Sequence, residues 1–237
     1  MLRMIGFDGD DTLWHSEGYY RAANAEFAAI VGHYVDLADG CVQADMLATE
    51  QRNLALFGYG AKGMTLSMLE TAISMTAALI TAQDIQRLLD IGKQVLRHPV
   101  ELLPGIREAV AAVAAQHDVV LITKGDLFHQ EKKVAQSGLG DLFPRIEIVS
   151  EKDVSTYQRL LTELQVAPAE FLMVGNSLRS DMAPVLSLGG WGVHMPYHVT
   201  WAHELASDIA ADQARILTVD TPAAIPAAVE CLSQRAA

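Results

Sequence analysis

Six short apolar runs punctuate the chain: MIGF at 4–7, VVLIT at 119–123, IEIV at 146–149, FLMVG at 171–175, GVHM at 192–195 and RILTV at 215–219. Each is bounded by Gly, Asp or Thr and is as short as a strand, which predicts strands buried on both faces. Between them the apolar spacing turns helical. Residues 104–117, PGIREAVAAVAAQH, open on a proline and set Ile106, Val110, Val113 and Ala114 along one face. Residues 152–164 do the same with Val154, Tyr157, Leu161 and Leu164. Strands alternating with helices predict an α/β fold, a Rossmann-like parallel sheet with helices on both faces.

One interval departs from this rhythm. From 15 to 100 the strand runs disappear, and Ala, Met, Leu and Gln recur at helical spacing. The pattern predicts an inserted helical domain over 15–100, with the sheet domain formed by 1–14 and 101–237. The insert leaves and re-enters at the carboxyl end of the first strand, the edge at which open α/β sheets bind ligands. The last stretch, TPAAIPAAVECLSQRAA, reads as a helix with a frayed end.

That edge is where the chemistry concentrates. The first strand runs into DGDDT, which crowds Asp8, Asp10 and Asp11 into four positions. A plain reading is that the acids form a turn and cap a helix. The other strand ends argue for more: Thr123 closes the second run, Lys152 follows the third, and Asn176, Ser177 and Asp181 follow the fourth. Carboxylates facing a lysine and a hydroxyl suit a divalent cation and a phosphate, and a cation offsets the repulsion among the acids.

Composition narrows the partners. Seventeen basic against twenty-nine acidic residues give a formal charge of −12, and no block of Lys or Arg could follow a phosphate backbone, so nucleic acid is not expected as a partner. No apolar run approaches the roughly 20 residues that span a bilayer, and acid interrupts the N-terminal stretch before a signal core can form, so no membrane association and a cytoplasmic location are expected. Cys41 and Cys231 have neither metal spacing nor a disulfide pattern and read as reduced thiols.

Taken in order, D-x-D-x-T (Asp8, Asp10, Thr12), Thr123, Lys152 and GNSLRSD (175–181) resemble the four signature elements of the haloacid dehalogenase superfamily. The helical insert resembles the cap domain of that superfamily's capped subgroup. The resemblance implies Asp8 as a nucleophile that forms an aspartyl-phosphate, and Asp10 as general acid and base. It implies Thr123, Lys152 and the backbone amides of Gly9 and Asp10 as the phosphate cradle. It implies Mg²⁺ held by Asp8, the carbonyl of Asp10, Asn176 and Asp181. Relatives usually carry Asp where this chain has Asn176, a neutral amide that still offers an oxygen. Asp10 resembles the phosphatases and phosphomutases, because dehalogenases of the superfamily typically carry Tyr there. The expected activity is Mg²⁺-dependent hydrolysis of a small phosphorylated metabolite. A phosphomutase, a 2-haloacid dehalogenase or a non-catalytic binding protein on the same scaffold remain alternatives.

Other signals are weaker. GYGAKG (58–63) matches a dinucleotide fingerprint but has no preceding strand, and reads as a loop between helices in which Lys62 is a candidate substrate contact. His194, His198 and His203 lack a helix to align them, and AHELA (202–206) lacks a second metal-binding histidine. Met64, Met68, Leu69 and Met75 read as helical-domain core. Lys124 reads equally as a phosphate ligand or a surface charge.

Overall fold

The computed structural model describes residues 1–36, 41–198 and 214–236. His203 and the AHELA stretch lie outside them. Among the described residues, six parallel strands form one sheet in the order β3-β2-β1-β4-β5-β6, with β1 Met4–Phe7, β2 Asp118–Lys124, β3 Arg145–Val149, β4 Phe171–Gly175, β5 Trp191–His194 and β6 Ile216–Thr218. The central strands β1, β2 and β4 are apolar because helices cover both faces. The outer strand β3 is more exposed and carries Arg145 and Glu147, charges that blunt an open edge.

Helices α5 (Ile106–Ala114) and α9 (Ile225–Arg235) pack on one face through Ile106, Val110, Val229 and Leu232, against Ile5, Phe7 and Val174. On the other face α7 (Val154–Glu163) and α8 (Ala183–Ser187) bury Tyr157, Leu160 and Val185 against Val120, Ile122 and Met173. Asp153 caps α7, accepting from the Thr156 N–H at 2.8 Å. Strand order reverses between β1 and β4, so the crevice at their carboxyl ends is the topological switch point. Asp8 follows β1 there, its N–H donating to the Val174 carbonyl at 2.9 Å.

The chain divides into two units, one of Met1–Glu17, Val100–Lys124 and Gln130–Ala237, the other of Gly18–Pro99 and Gly125–His129. The second contains α1 (Glu17–Val31, but for its first residue), α2 (Cys41–Phe57), α3 (Ala61–Met75) and α4 (Ala82–Arg97). It has its own core of Phe27, Val31, Met46, Met64, Met68, Leu88 and Ile91. Leu69 and Met75 pack against that core, and Thr81 caps α4 by accepting from the Asp84 N–H at 3.2 Å. GYGAKG follows α2 and opens α3 with no strand before it, and Lys62 pairs with Asp126 at 2.9 Å. Cys41 and Cys231 are both free thiols.

Candidate active site

Four strand ends converge on Asp8. The Lys152 ammonium, just past β3, donates to Asp8 Oδ1 and, at 2.7 Å, to Asp181 Oδ1. All three side chains are at least nine-tenths buried. The second Asp181 oxygen accepts from the Ser177 N–H at 3.0 Å, so this carboxylate anchors the loop after β4 and holds Lys152. Gly175 is required beneath it, because a Cβ there would overlap the Asp181 carboxylate. Burial and the neighbouring Asp181 charge push the Asp8 carboxyl upward, against the pull of Lys152. Burial works against the Lys152 charge, yet Asp181 and Asp8 more than offset it and raise the ammonium's pKa.

Asn176 closes the other side of Asp8. One terminal atom of its amide lies 3.1 Å from Asp8 Oδ2 and 3.3 Å from the Asp10 carbonyl oxygen, and 3.3 Å from the Thr12 hydroxyl. With the amide nitrogen turned to that point, Asn176 donates to both acceptors; with the oxygen there, three hard oxygens converge. The second arrangement is what a Mg²⁺ ion would resolve, since it takes oxygen ligands and retains waters. Among the described residues no group of three His, Cys, Asp or Glu side chains converges as a metal site. A cation would therefore rest on this mixed set of carboxylate, carbonyl and amide, which fits Mg²⁺ in donor type and is short of one charge. Asp181, with both oxygens engaged, is placed to orient Lys152 and the loop.

Thr123 lies next to last in β2, 1% exposed, and its hydroxyl has no hydrogen-bond partner. A buried hydroxyl left this way costs free energy unless a ligand completes it. It faces Gly9, where an added Cβ would come within 3.0 Å of the Thr123 hydroxyl and 2.8 Å of the Trp14 ring. Lys124, beside it, donates to Ser180 Oγ at 2.9 Å and pairs with Glu151 at 3.4 Å.

The three acids of DGDDT separate in space. Asp11 sits in the left-handed region at φ 60°, which Asp tolerates, and accepts from the Ser16 and Glu17 N–H groups at 2.8 and 3.1 Å. It caps the start of α1, so the plain reading holds for this one residue. Burial pushes its carboxyl up to about 7, with the Asp10 charge adding to the shift.

Asp10 presents its carbonyl to Asn176 and its carboxylate elsewhere. Oδ1 accepts from Trp14 Nε1 at 2.6 Å and Lys133 Nζ at 2.7 Å; Oδ2 accepts from Gln130 Nε2 and Lys133 Nζ, both at 2.9 Å. Burial opposes ionisation, but the Lys133 charge and these donors win and hold the carboxyl below its ordinary value. Gln130 and Lys133, on α6 (Leu127–Ser137), escape a reading by periodicity because polar residues on a helix look like its solvated face. His194 Nε2 lies 3.0 Å from the Asn176 carbonyl, and burial lowers its pKa.

A family model described as haloacid dehalogenase-like hydrolase matches residues 2–189. A haloacid dehalogenase-like family hydrolase from Xanthomonas campestris is 55% identical, with a TM-score of 0.88 over 99% of this chain and 93% of its own. Two more distant structures share the fold at 18% identity and a TM-score of 0.61. One is a predicted phosphoglycolate phosphatase from Haemophilus somnus (94% of this chain, 96% of its own), the other L-2-haloacid dehalogenase from Xanthobacter autotrophicus (97% and 99%). No curated protein matches the chain.

Proposed function

Because the chain belongs to the haloacid dehalogenase-like hydrolases, we propose that it hydrolyses the phosphomonoester of a small metabolite through an aspartyl-phosphate on Asp8. The observation that carries this choice of reaction is Asp10, a carboxylate two residues beyond the nucleophile. Transfer of a phosphoryl group to water needs a group that gives a proton to the leaving oxygen and later takes one from water. Displacement of a halide needs neither for departure.

Asp8 attacks phosphorus; a new Asp8 O–P bond forms as the ester P–O bond breaks, and Asp10 in its acid form protonates the departing alcohol oxygen. Asp10, now a base, takes a proton from water as the water oxygen attacks phosphorus, which releases phosphate and frees Asp8. Lys152 and the Thr123 hydroxyl bind the equatorial oxygens, joined by the backbone amides of Gly9 and Asp10. Asp181 keeps Lys152 aimed at that group. Mg²⁺, held by Asp8, the Asp10 carbonyl and Asn176, would supply positive charge to the transferring group.

The test is phosphate release from an aryl phosphate and a panel of phosphorylated metabolites, with Mg²⁺ or EDTA, comparing wild type with Asp8→Asn. Metal-dependent release lost in the variant is the expected result. One observation favours a second reading: with its nitrogen inward, Asn176 satisfies Asp8 Oδ2 and the Asp10 carbonyl without any cation. Chloride release from a 2-haloacid in EDTA, with no phosphate released from any ester, would replace the phosphatase reading with that one.

A further inference from the structure

The backbone around Asn176 is fixed while its amide is free to choose. A His194 ring nitrogen lies 3.0 Å from the Asn176 carbonyl oxygen, and the next residue, Ser177, gives its N–H to Asp181 at 3.0 Å. What remains is the last side-chain torsion, which for an amide is broad and roughly two-fold. With the nitrogen inward, its two N–H bonds meet the two acceptors that face them, Asp8 Oδ2 at 3.1 Å and the Asp10 carbonyl at 3.3 Å. With the oxygen inward, the Thr12 hydroxyl donates to it at 3.3 Å, and the other two oxygens crowd against a third. Thr12 is 0% exposed and serves both arrangements, because its hydroxyl can donate instead to Asp8 Oδ2 at 3.4 Å.

An aspartate at this position would repel Asp8 until a cation came between them. An amide can stand in for the cation by setting the positive ends of two N–H bonds against the same oxygens, and can then turn to become a ligand. We propose that Asn176 is a two-position latch on the cation site: nitrogen inward, it holds Asp8 and the Asp10 carbonyl in place while no cation is bound; oxygen inward, it joins them as a ligand. The inference rests on the Mg²⁺-dependent phosphatase reading given above. Metal binding is then a competition with an internal hydrogen-bonded group, which makes the cation exchangeable with each substrate. The charges agree with this. Two carboxylates, Asp8 and Asp181, share one ammonium, Lys152, so one negative charge is left to face a divalent ion, and a phosphate supplies the rest. The Thr123 hydroxyl, 1% exposed and without a hydrogen-bond partner, stands ready for that phosphate's oxygens.

Asn176→Ala separates a latch from a ligand that always points its oxygen inward. Losing the latch leaves two acceptors without their donor, and an unsatisfied polar group of this kind should lower melting in EDTA by about 2–12 °C. Mg²⁺ affinity, read by calorimetry with inorganic phosphate present, should fall less than about 10-fold, because a ligand and a competitor are lost together. A fixed oxygen ligand predicts the reverse. Melting in EDTA would stay or rise as three crowded oxygens become two, and Mg²⁺ affinity would fall by more than the ~10–100-fold that even an outer-shell partner costs. Heteronuclear NMR of wild type reads the turn directly. The Asn176 side-chain amide protons, assigned by their absence from Asn176→Ala or Asn176→Asp, should be protected from exchange in EDTA, then shift and lose protection when Mg²⁺ and inorganic phosphate are added. An amide pair that stays in place while Mg²⁺ binds, or the fixed-ligand pattern in Asn176→Ala, would overturn the latch. Metal-dependent phosphate release beside either result leaves the phosphatase reading standing; a wild type that neither binds Mg²⁺ nor releases phosphate removes both.

Discussion

Lys152→Met tests the electrostatic account of the site. Lys152 is the shared partner of two carboxylates, 2% exposed at its side chain, with Asp181 1% exposed. Removing one member of such a group leaves an uncompensated buried charge, which costs about 3–5 kcal/mol. In a chain of this length each kcal/mol moves the midpoint by about 2–4 °C, so melting should fall by about 6–20 °C. The loss should depend on pH. In wild type the raised Lys152 pKa contributes stability that is complete below the unfolded lysine value and lost only as pH rises through the folded one, so it is constant across neutral pH. In the variant Asp8 loses the cation that pulls its carboxyl down, so its folded pKa, already raised in wild type by burial and the Asp181 charge, rises further. The variant's stability then falls further than the wild type's as pH rises through the folded Asp8 pKa. The deficit should be smaller at about pH 5 than at about pH 8 by at least ~1.4 kcal/mol, one pKa unit's worth. The assay is thermal melting in EDTA at both pH values. Adding Asp181→Asn to Lys152→Met should restore part of the loss, because it removes the charge left behind. A loss under about 1 kcal/mol, or one independent of pH, would refute the reasoning that the pair is dry and mutually dependent.

Three further outcomes follow from the geometry. Gly9→Ala places a Cβ 2.8 Å from the Trp14 ring and 3.0 Å from the Thr123 hydroxyl; overpacking of this kind costs about 1–3 kcal/mol, so melting should drop by about 2–12 °C and phosphate release should fall in the protein that remains folded. Asn176→Asp adds the missing charge to the oxygen cluster and should tighten Mg²⁺ binding at least ~10-fold by calorimetry; unchanged affinity would remove Asn176 from the ligand set. Glu50, half-buried in α2, has its carboxyl pushed up to about 7 by burial, above its ordinary 4.5. Between those values the unfolded chain sheds a proton that the folded one keeps, so stability falls as pH rises through the window; Glu50→Gln should melt higher than wild type above about pH 7, by ~1–2 kcal/mol after discounting for solvent, and the two should converge near pH 4.5.

The sheet was legible because strands covered on both faces must be apolar throughout, and MIGF and FLMVG coincide with β1 and β4. GVHM is displaced by one residue from β5, since Trp191 already pairs with Leu172 while the Met195 N–H reaches past the strand to the Gly175 carbonyl. Asp8, Lys152, Asn176 and Asp181 could be read because each follows a strand, and a parallel sheet gathers strand ends at one edge. Lys133 and Gln130 could not, because their partner Asp10 is more than a hundred residues away and helical periodicity has no sign for a buried polar pair. Nor does spacing tell Asp11, which caps a helix, from Asp10; the left-handed turn between them separates their side chains.

The strand that leads into Asp8 is the first of the six described strands in sequence and lies in the middle of the sheet, where Met4 pairs with Asp118 on one side and Phe171 on the other. Both neighbours are therefore still untranslated when this strand leaves the ribosome. At about 5–20 residues per second, roughly ten to thirty seconds separate synthesis of β1 from that of β4. Through that interval its apolar residues and both open edges have only temporary company, while helices α1 to α4 can satisfy themselves by local contacts. Nascent chains stalled before residue 170 should accordingly hold a protected helical segment and a protease-sensitive N-terminus, with the nucleophile assembled only when the second half of the sheet arrives.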